Sequence, residues 1–165
     1  MGVWMKYIAV ATGGTFDHLH RGHLALLARS FAVSDYVVIG VTSDELAARE
    51  GKKPDFSYRQ RVGRLEAYLR ENFPGKKFTI TRLDDYFNPG IASRDIQAIV
   101  VSPETASRVK IANELRASMG VAPLEVIVVE YVLAEDGTRI SSTRIRKGEI
   151  DSEGKVQTKD AQRGF

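Results

Sequence analysis

The segment from Tyr7 to Phe31 constrains the fold more than any other part of the chain. Tyr7-Ile8-Ala9-Val10-Ala11 is an apolar run of strand length. Gly13 and Gly14 end it, and a polar turn follows. Leu24, Leu26, Leu27 and Phe31 then recur near helical spacing, so the chain has entered a helix by Gly22 or His23. Strand, glycine turn and helix are the parts from which an open α/β sheet builds an anion site. The bare amides of the helix start point at the anion, and the helix dipole favours negative charge there. The turn is not a Walker A loop, because no Gly-Lys-Ser/Thr follows the glycines, and it lacks the dinucleotide GxGxxG pattern. Instead it carries His20 and His23, three residues apart. Three residues are nearly one helical turn, so both imidazoles face the same way. Gly22 between them leaves the backbone open to a ligand.

The rest of the chain alternates strand and helix signals. Strands are expected over residues 7–11, 36–41, 78–83, 96–101 and 124–129. Helices are expected over residues 22–31, 45–49, 58–72, 105–119 and 140–147, with Ser43, Ser57 and Ser141-Ser142 offering caps. The long helix over 58–72 places Val62, Leu65 and Leu69 on its inner face. Residues 84–94 read as a loop turned by Asn88-Pro89-Gly90. This order predicts an α/β fold with a five-stranded parallel sheet flanked by helices. Ligands in such sheets lie beyond the carboxyl ends of the strands, at the switch point. The turn at Gly14–His23 and the loops after strands two, four and five should therefore surround one crevice. Residues 7–150 form one domain in this reading, residues 1–6 a short extension, and residues 151–165 a polar mobile tail.

Composition narrows the chemistry. The 165 residues suffice for one domain with a sizeable core. With 43% hydrophobic and 27% charged residues the chain reads as soluble and globular. No apolar run approaches the ~18 residues of a membrane span, and no export signal is visible, so a cytoplasmic protein is expected. A net charge of +3 suits phosphorylated substrates but is too small to indicate nucleic acid. There is no cysteine, hence no thiolate chemistry. No activated serine and no spaced carboxylate pair argue for a covalent intermediate or general-base hydrolysis. His18, His20 and His23 are all the histidines present. Nothing is spaced to complete a metal shell around them, so no protein-held metal is expected. His18 reads as a loop residue, and Asp17 as a turn former or helix cap.

Gly14-Thr15-Phe16-Asp17 followed by His20-Arg21-Gly22-His23 resembles the GTFDxxHxGH signature of the nucleotidyltransferase superfamily. Further segments resemble its phosphopantetheine adenylyltransferases. Lys52-Lys53-Pro54 with Phe56 and Gln60-Arg61-Val62 resembles their KKPxF…(E/Q)RV region. Ile140-Ser141-Ser142-Thr143-Arg144-Ile145-Arg146 resembles their ISSTxxR motif. Val100-Val101-Ser102-Pro103-Glu104-Thr105, with Leu83-Asp84-Asp85-Tyr86, Pro89-Gly90 and Asn113-Glu114-Leu115-Arg116, is similar to the archaeal and eukaryotic form. The resemblance covers residues 7–149. The Arg-Gly segment that bacterial forms carry after strand four is missing, and Arg108, Lys110 and Arg116 are the candidates to replace it.

The resemblance implies a single Rossmann-like nucleotidyltransferase domain and an activity, transfer of AMP from ATP to 4′-phosphopantetheine with release of pyrophosphate. It implies that His23 donates to the α-phosphate and His20 to the remaining triphosphate. Thr15 and Lys52, or Lys53 by a one-residue slip, orient the acceptor phosphate. Gly14, Phe16, Gly22, Ile140, Ser141, Ser142 and Thr143, with Arg146 or alternatively Arg144, complete the ATP site. Mg²⁺ is expected to bridge phosphate oxygens with few direct protein ligands. ATP and 4′-phosphopantetheine are the expected partners, without nucleic acid or membrane, and a monomer is favoured over an oligomer. The rival readings are a glycerol-phosphate cytidylyltransferase, a flavin adenylyltransferase and a nucleotide-binding module without turnover.

Overall fold

A computed structural model describes residues 6–86, 91 and 93–157. The order is β1 (Tyr7–Gly14), α1 (Arg21–Val33), β2 (Ser34–Thr42), α2 (Asp44–Arg49), α3 (Tyr58–Asn72), β3 (Lys77–Leu83), β4 (Ala98–Val101), α4 (Pro103–Ala106), α5 (Val109–Ser118), β5 (Glu125–Val128) and α6 (Ser142–Arg146). The five strands form one parallel sheet in the order β3-β2-β1-β4-β5. The expected α/β sheet is the one observed. Strand order reverses between β1 and β4, so the switch point lies where β1 and β4 end.

The sheet is covered on both faces, and the period-two alternation of a strand sorts its side chains between them. Val10, Val37, Ile39, Val41, Ala98 and Val100 pack with Leu27 and Phe31 of α1 and Leu65 and Leu69 of α3. Ala11, Ile99 and Val101 pack with Val109 and Ala112 of α5 on the opposite face. At the carboxyl end of β1 the sheet is unusually tight. Gly13 lies beside Gly40 of β2, and a Cβ on Gly13 would stand 3.0 Å from the Gly40 carbonyl oxygen. That approach explains why β1 runs through both glycines to Gly14 rather than stopping at Ala11.

Two arginines hold the loops at the sheet's carboxyl end. The Arg61 side chain is fully buried. Its guanidinium donates to the carbonyls of Phe56 (3.0 Å), Thr15 (2.8 Å) and Thr42 (2.7 Å) and pairs with Asp44 at 2.9 Å. Arg116, also buried, donates to the carbonyls of Ala122, Ile91, Ser93 and Ile96 at 2.6–2.9 Å. Carbonyls that no strand or helix pairs are thereby satisfied inside the protein, where an unmade bond would cost about 1–3 kcal/mol each.

Three expectations change. The helix expected over 105–119 is two helices, because the chain breaks at Ser107 and Arg108 between α4 and α5. The inner ladder of α3 is Arg61, Leu65 and Leu69, with Val62 only partly buried. Residues 151–157 do not form a tail outside the fold. Ile150 is 2% exposed and packs with Ala134 and Ile140, and Ile150 and Val156 form an antiparallel bridge. Glu135 donates its amide to Gly154, and Arg21 its amide to Ser152. The domain therefore extends to at least Gln157. Residues 1–5, the turn at Asn88-Pro89-Gly90 and residues 158–165 lie outside the described residues. Among the described residues no helix is long and apolar enough to cross a membrane.

Candidate active site

The site is built on the end of β1. Phe16 takes the left-handed conformation at φ 52° and is buried, its ring 5.1 Å from that of His23. The kink delivers His20 as the cap of α1. Gly22 donates its amide to His20 Nδ1 at 3.0 Å, and the His20 amide donates to His23 Nδ1 at 3.3 Å. Two histidines thus form a reciprocal capping box, the role usually filled by a small polar residue and a Glu or Gln. The rings stack with centroids 3.9 Å apart.

This arrangement fixes the chemistry of both rings. Each Nδ1 accepts an amide proton, so the proton of each neutral imidazole resides on Nε2. Burial lowers the His20 pKa to about 4, helped by the charges of Arg139 and His18. Burial, with the neighbouring His20, holds His23 well below the ordinary histidine value. At neutral pH the pair is therefore two uncharged, rigid Nε2–H donors rather than two cations.

Two cavities adjoin here, and both rings line the second. The first, of about 150 Å³, is largely apolar and is walled by Val38, Leu83, Ile91, Ile96 and Ile99. The second, of about 260 Å³, is the more polar of the two. Gly14, Thr15, Phe16, His20, Gly22, His23, Lys52, Ile140, Ser141, Ser142, Thr143 and Arg146 all line the second, so every expected site residue converges on one space. The cavities share Gly13–Thr15, Leu26, Lys52, Ser102, Thr105 and Arg108.

The open alternatives differ in placement. Lys52 lines both cavities, with Nζ 3.4 Å from Thr15 Oγ1 and 3.4 Å from Glu50; Lys53 is exposed and lines neither. Arg146 lines the polar cavity, whereas Arg144 turns away to Asp136 and the Arg139 carbonyl. Of the three candidates for the missing Arg-Gly segment, Arg116 is spent on carbonyls and Lys110 is exposed, while Arg108 lines both cavities.

Asp17 is neither the cap of α1 nor a base. Its side chain is fully buried. It accepts from the amides of Asp55 and Phe56, each at 3.1 Å, and pairs with Arg146 at 2.8 Å. It ties the loop carrying Lys52 to the helix carrying Arg146. His18 pairs with Asp55 at 2.6 Å, so Asp17, His18 and Asp55 offer atoms within 4.8 Å of one another. Both Asp17 oxygens are already occupied by amides and a guanidinium. Ser142 donates its hydroxyl to the His18 carbonyl at 3.0 Å, Ser141 caps α6, and Thr143 accepts from Arg146. The α6 motif and the histidine turn are thus bonded directly.

Sequence reading missed Arg139, which lines the polar cavity beside Glu104 at 3.2 Å and lies over Tyr131. It immediately precedes the Ile140-Ser141-Ser142-Thr143 run, and that adjacency is the only sequence signal for it. Glu50 was missed as well. It follows α2 as an ordinary-looking surface residue, yet its side chain is 11% exposed and lines the apolar cavity.

The comparisons with known proteins agree with this geometry. Residues 11–148 match the cytidylyltransferase-like family. The phosphopantetheine adenylyltransferase of Methanosarcina acetivorans is 45% identical over 150 residues, covering 90% of this chain and 95% of that protein. That of Methanothermobacter thermautotrophicus is 43% identical over 151 residues, 92% of this chain and 90% of its own. A solved protein of unknown function from Archaeoglobus fulgidus has a TM-score of 0.67 at 25% identity, covering 81% of this chain and all of that one. Identity of this extent, spanning both cavities and the turn between them, places the chain in the cytidylyltransferase-like family and, within it, among the phosphopantetheine adenylyltransferases.

Proposed function

We propose that this chain transfers AMP from ATP to 4′-phosphopantetheine, yielding dephospho-coenzyme A and pyrophosphate. The observation that carries this reading is the junction of an apolar and a more polar cavity at Thr15 and Lys52, with the two histidines lining the second cavity. The polar cavity takes the nucleotide and its triphosphate. The apolar one takes the pantetheine arm, with its phosphate directed to the junction.

A phosphate oxygen of the acceptor attacks the α-phosphorus in line, and the bond from that phosphorus to the bridging oxygen of the β-phosphate breaks. A phosphate dianion needs no proton removed, so neutral imidazoles suit the task. His23 donates through Nε2–H to the α-phosphate oxygens as charge gathers on them, and His20 donates to the departing pyrophosphate. Lys52 and Thr15 hold the attacking phosphate. Ser142, Thr143 and the amides of α6, with Arg146 beside them, hold the leaving group.

Mg²⁺ belongs to the same proposal as ATP's companion ion. Of the crevice carboxylates, Asp17, Glu50 and Glu104 are held by Arg146, Lys52 and Arg139, and Glu130 lines the polar cavity. Phosphate oxygens and water, with Glu130 as the nearby carboxylate, would hold the ion, which fits one that keeps several waters. When bound it offsets phosphate charge.

The test is incubation with ATP and 4′-phosphopantetheine, alongside CTP with glycerol phosphate and ATP with flavin mononucleotide. Dephospho-coenzyme A and pyrophosphate should appear in the first mixture alone. His23→Ala should bind ATP within a few-fold of wild type and lose about 10²–10³ in kcat. Loss of ATP binding together with turnover would remove His23 from its transition-state role.

A further inference from the structure

The first turn of α1 is held partly from outside itself. The amides of His20, Gly22 and Leu24 bond within the turn, to His23 Nδ1, His20 Nδ1 and the His20 carbonyl. The Arg21 amide, first in the helix, donates instead to the Ser152 carbonyl at 3.4 Å, and Glu153 lies 3.8 Å from the Arg21 guanidinium. A helix start leaves such amides without intrahelical partners, so whatever accepts from them fixes where the helix begins. Ser152 sits in a hairpin closed by the bridge between Ile150 and Val156. Asp151 folds its turn. One carboxylate oxygen, Oδ1, accepts from the amides of Glu153 and Lys155, each at 2.9 Å, and the Asp151 backbone bonds to Lys155 and Gly154.

The other side of this hairpin is clipped to the start of the Ser141-Ser142-Thr143 run. The Gly154 carbonyl accepts from the Glu135 amide at 2.8 Å, and the Glu135 carboxylate accepts from the Val156 amide at 3.1 Å. Gly154 is buried at φ 82°, and a Cβ there would stand 2.7 Å from Ile140 Cδ1. Ile150 packs with Ala134 and Ile140. All of residues 148–157 are described, and none lines either cavity. One short element thus touches both the histidine turn and the approach to α6 while staying clear of the ligand space.

We propose that Asp151 is a positioning residue for the transfer: by folding the hairpin it holds the Ser152 carbonyl on the first amide of α1, and so aims the turn that carries His20 and His23. Its effect on turnover rests on the reading of the site given above. The groups assigned to ground-state binding keep ties of their own, Lys52 to Glu50 and Arg146 to Asp17. Loosening the hairpin therefore displaces the imidazoles first. A displacement of about 1 Å at such donors costs on the order of 10² in rate.

The experiment compares wild type, Asp151→Ala and Asp151→Asn by steady-state synthesis of dephospho-coenzyme A and by the ¹⁵N signals of the histidine rings at neutral pH. Asparagine keeps the single oxygen that takes both amides, and alanine removes it. Asp151→Ala should lose about tenfold to a hundredfold in kcat with the KM for each substrate within about threefold. Asp151→Asn should stay within about twofold of wild type in both. In wild type the His20 and His23 rings should each show one tautomer, Nε2–H. In Asp151→Ala their signals should move towards the tautomer average of a free imidazole, and in Asp151→Asn they should not. Glu135→Ala, at an exposed position, removes the acceptor of the Val156 amide and should move the same signals, which keeps the test open should Asp151→Ala fail to fold. Unmoved histidine signals in the alanine variants, an unchanged kcat in Asp151→Ala, or an Asn variant as impaired as the Ala variant would overturn the assignment while leaving the proposed function intact. A wild-type protein that makes no dephospho-coenzyme A would overturn the function, and with it any role of Asp151 in the transfer.

Discussion

Replacing Asp17 by Asn should uncouple the two halves of the phosphate site. The carboxylate is fully buried and receives three donors, the Asp55 and Phe56 amides at 3.1 Å and Arg146 at 2.8 Å. An asparagine offers one oxygen and one NH₂ group. Whichever way it is turned, the NH₂ faces at least one backbone N–H that has no other acceptor in the turn. Such a frustrated buried donor costs about 1–3 kcal/mol. Loss of the buried charge adds to this, and breaking a buried pair costs about 3–5 kcal/mol in total when the remaining partner is stranded. Arg146 is 19% exposed and recovers some hydration, so the lower end applies, about 3 kcal/mol. For a domain of this size that is a fall in Tm of about 6–12 °C. The loop bearing Lys52 loses its tie to the histidine turn, and displacement of a positioning group by about 1 Å costs on the order of 10² in rate. Thermal melts and kcat measurements on Asp17→Asn, Arg146→Met and the double variant form a cycle. Its coupling energy should reach about 2 kcal/mol, because each single change strands the other member of the pair and the double change removes both. A melting point within about 2 °C of wild type, or a coupling below about 0.5 kcal/mol, would refute the idea that this carboxylate joins the loop to α6.

Two further outcomes follow from the paired histidines. His20 titrates near 4 in the fold because it is buried beside Arg139, against about 6.5 when unfolded. The unfolded chain therefore binds the proton first, so the stability from this group is complete above about pH 6.5 and falls as pH drops towards 4, by about 3 kcal/mol overall. Urea unfolding at pH 7 and pH 5 should show the loss in wild type and a smaller one in His20→Asn, whose side chain still caps α1. A slope unchanged in the variant would remove His20 as its source. Gly22→Ala would place a Cβ 2.7 Å from His20 Cε1 and 2.9 Å from its Nδ1. The ring must rotate out of its capping bond, so kcat should fall at least about tenfold while Tm moves little, since alanine favours the helix. Unchanged turnover would show that the imidazole orientation is not set by this contact.

Much of this was legible because the relevant signals are local. The α3 boundaries follow from the Ser57 cap and a helical period, and strand positions follow from short β-branched runs bounded by polar turns. The crevice was legible too, since topology alone sends the ends of β1, β2, β4 and β5 to one side. What sequence could not supply were side chains whose roles depend on distant partners. Arg61 reads as a surface arginine until Thr15 and Thr42 bring their carbonyls to it. Asp17 reads as a cap because its true partners lie in another loop and in α6. The break at Arg108 has no glycine or proline to announce it, and the polar residues 151–157 hide a packing role exercised through Ile150 and backbone bonds.

The bonds that close the phosphate site join residues far apart along the polypeptide. Asp17 meets Arg146 across 129 positions, and His18 meets Ser142 across 124. During synthesis from the amino terminus, β1, β2 and β3 can pair while the final helix has yet to leave the ribosome. The nascent protein therefore holds paired strands beside an unfinished cradle until α6 emerges. Competence to grip a triphosphate arrives only when α6 joins the histidine turn, and loop-closure entropy makes that step late in refolding as well.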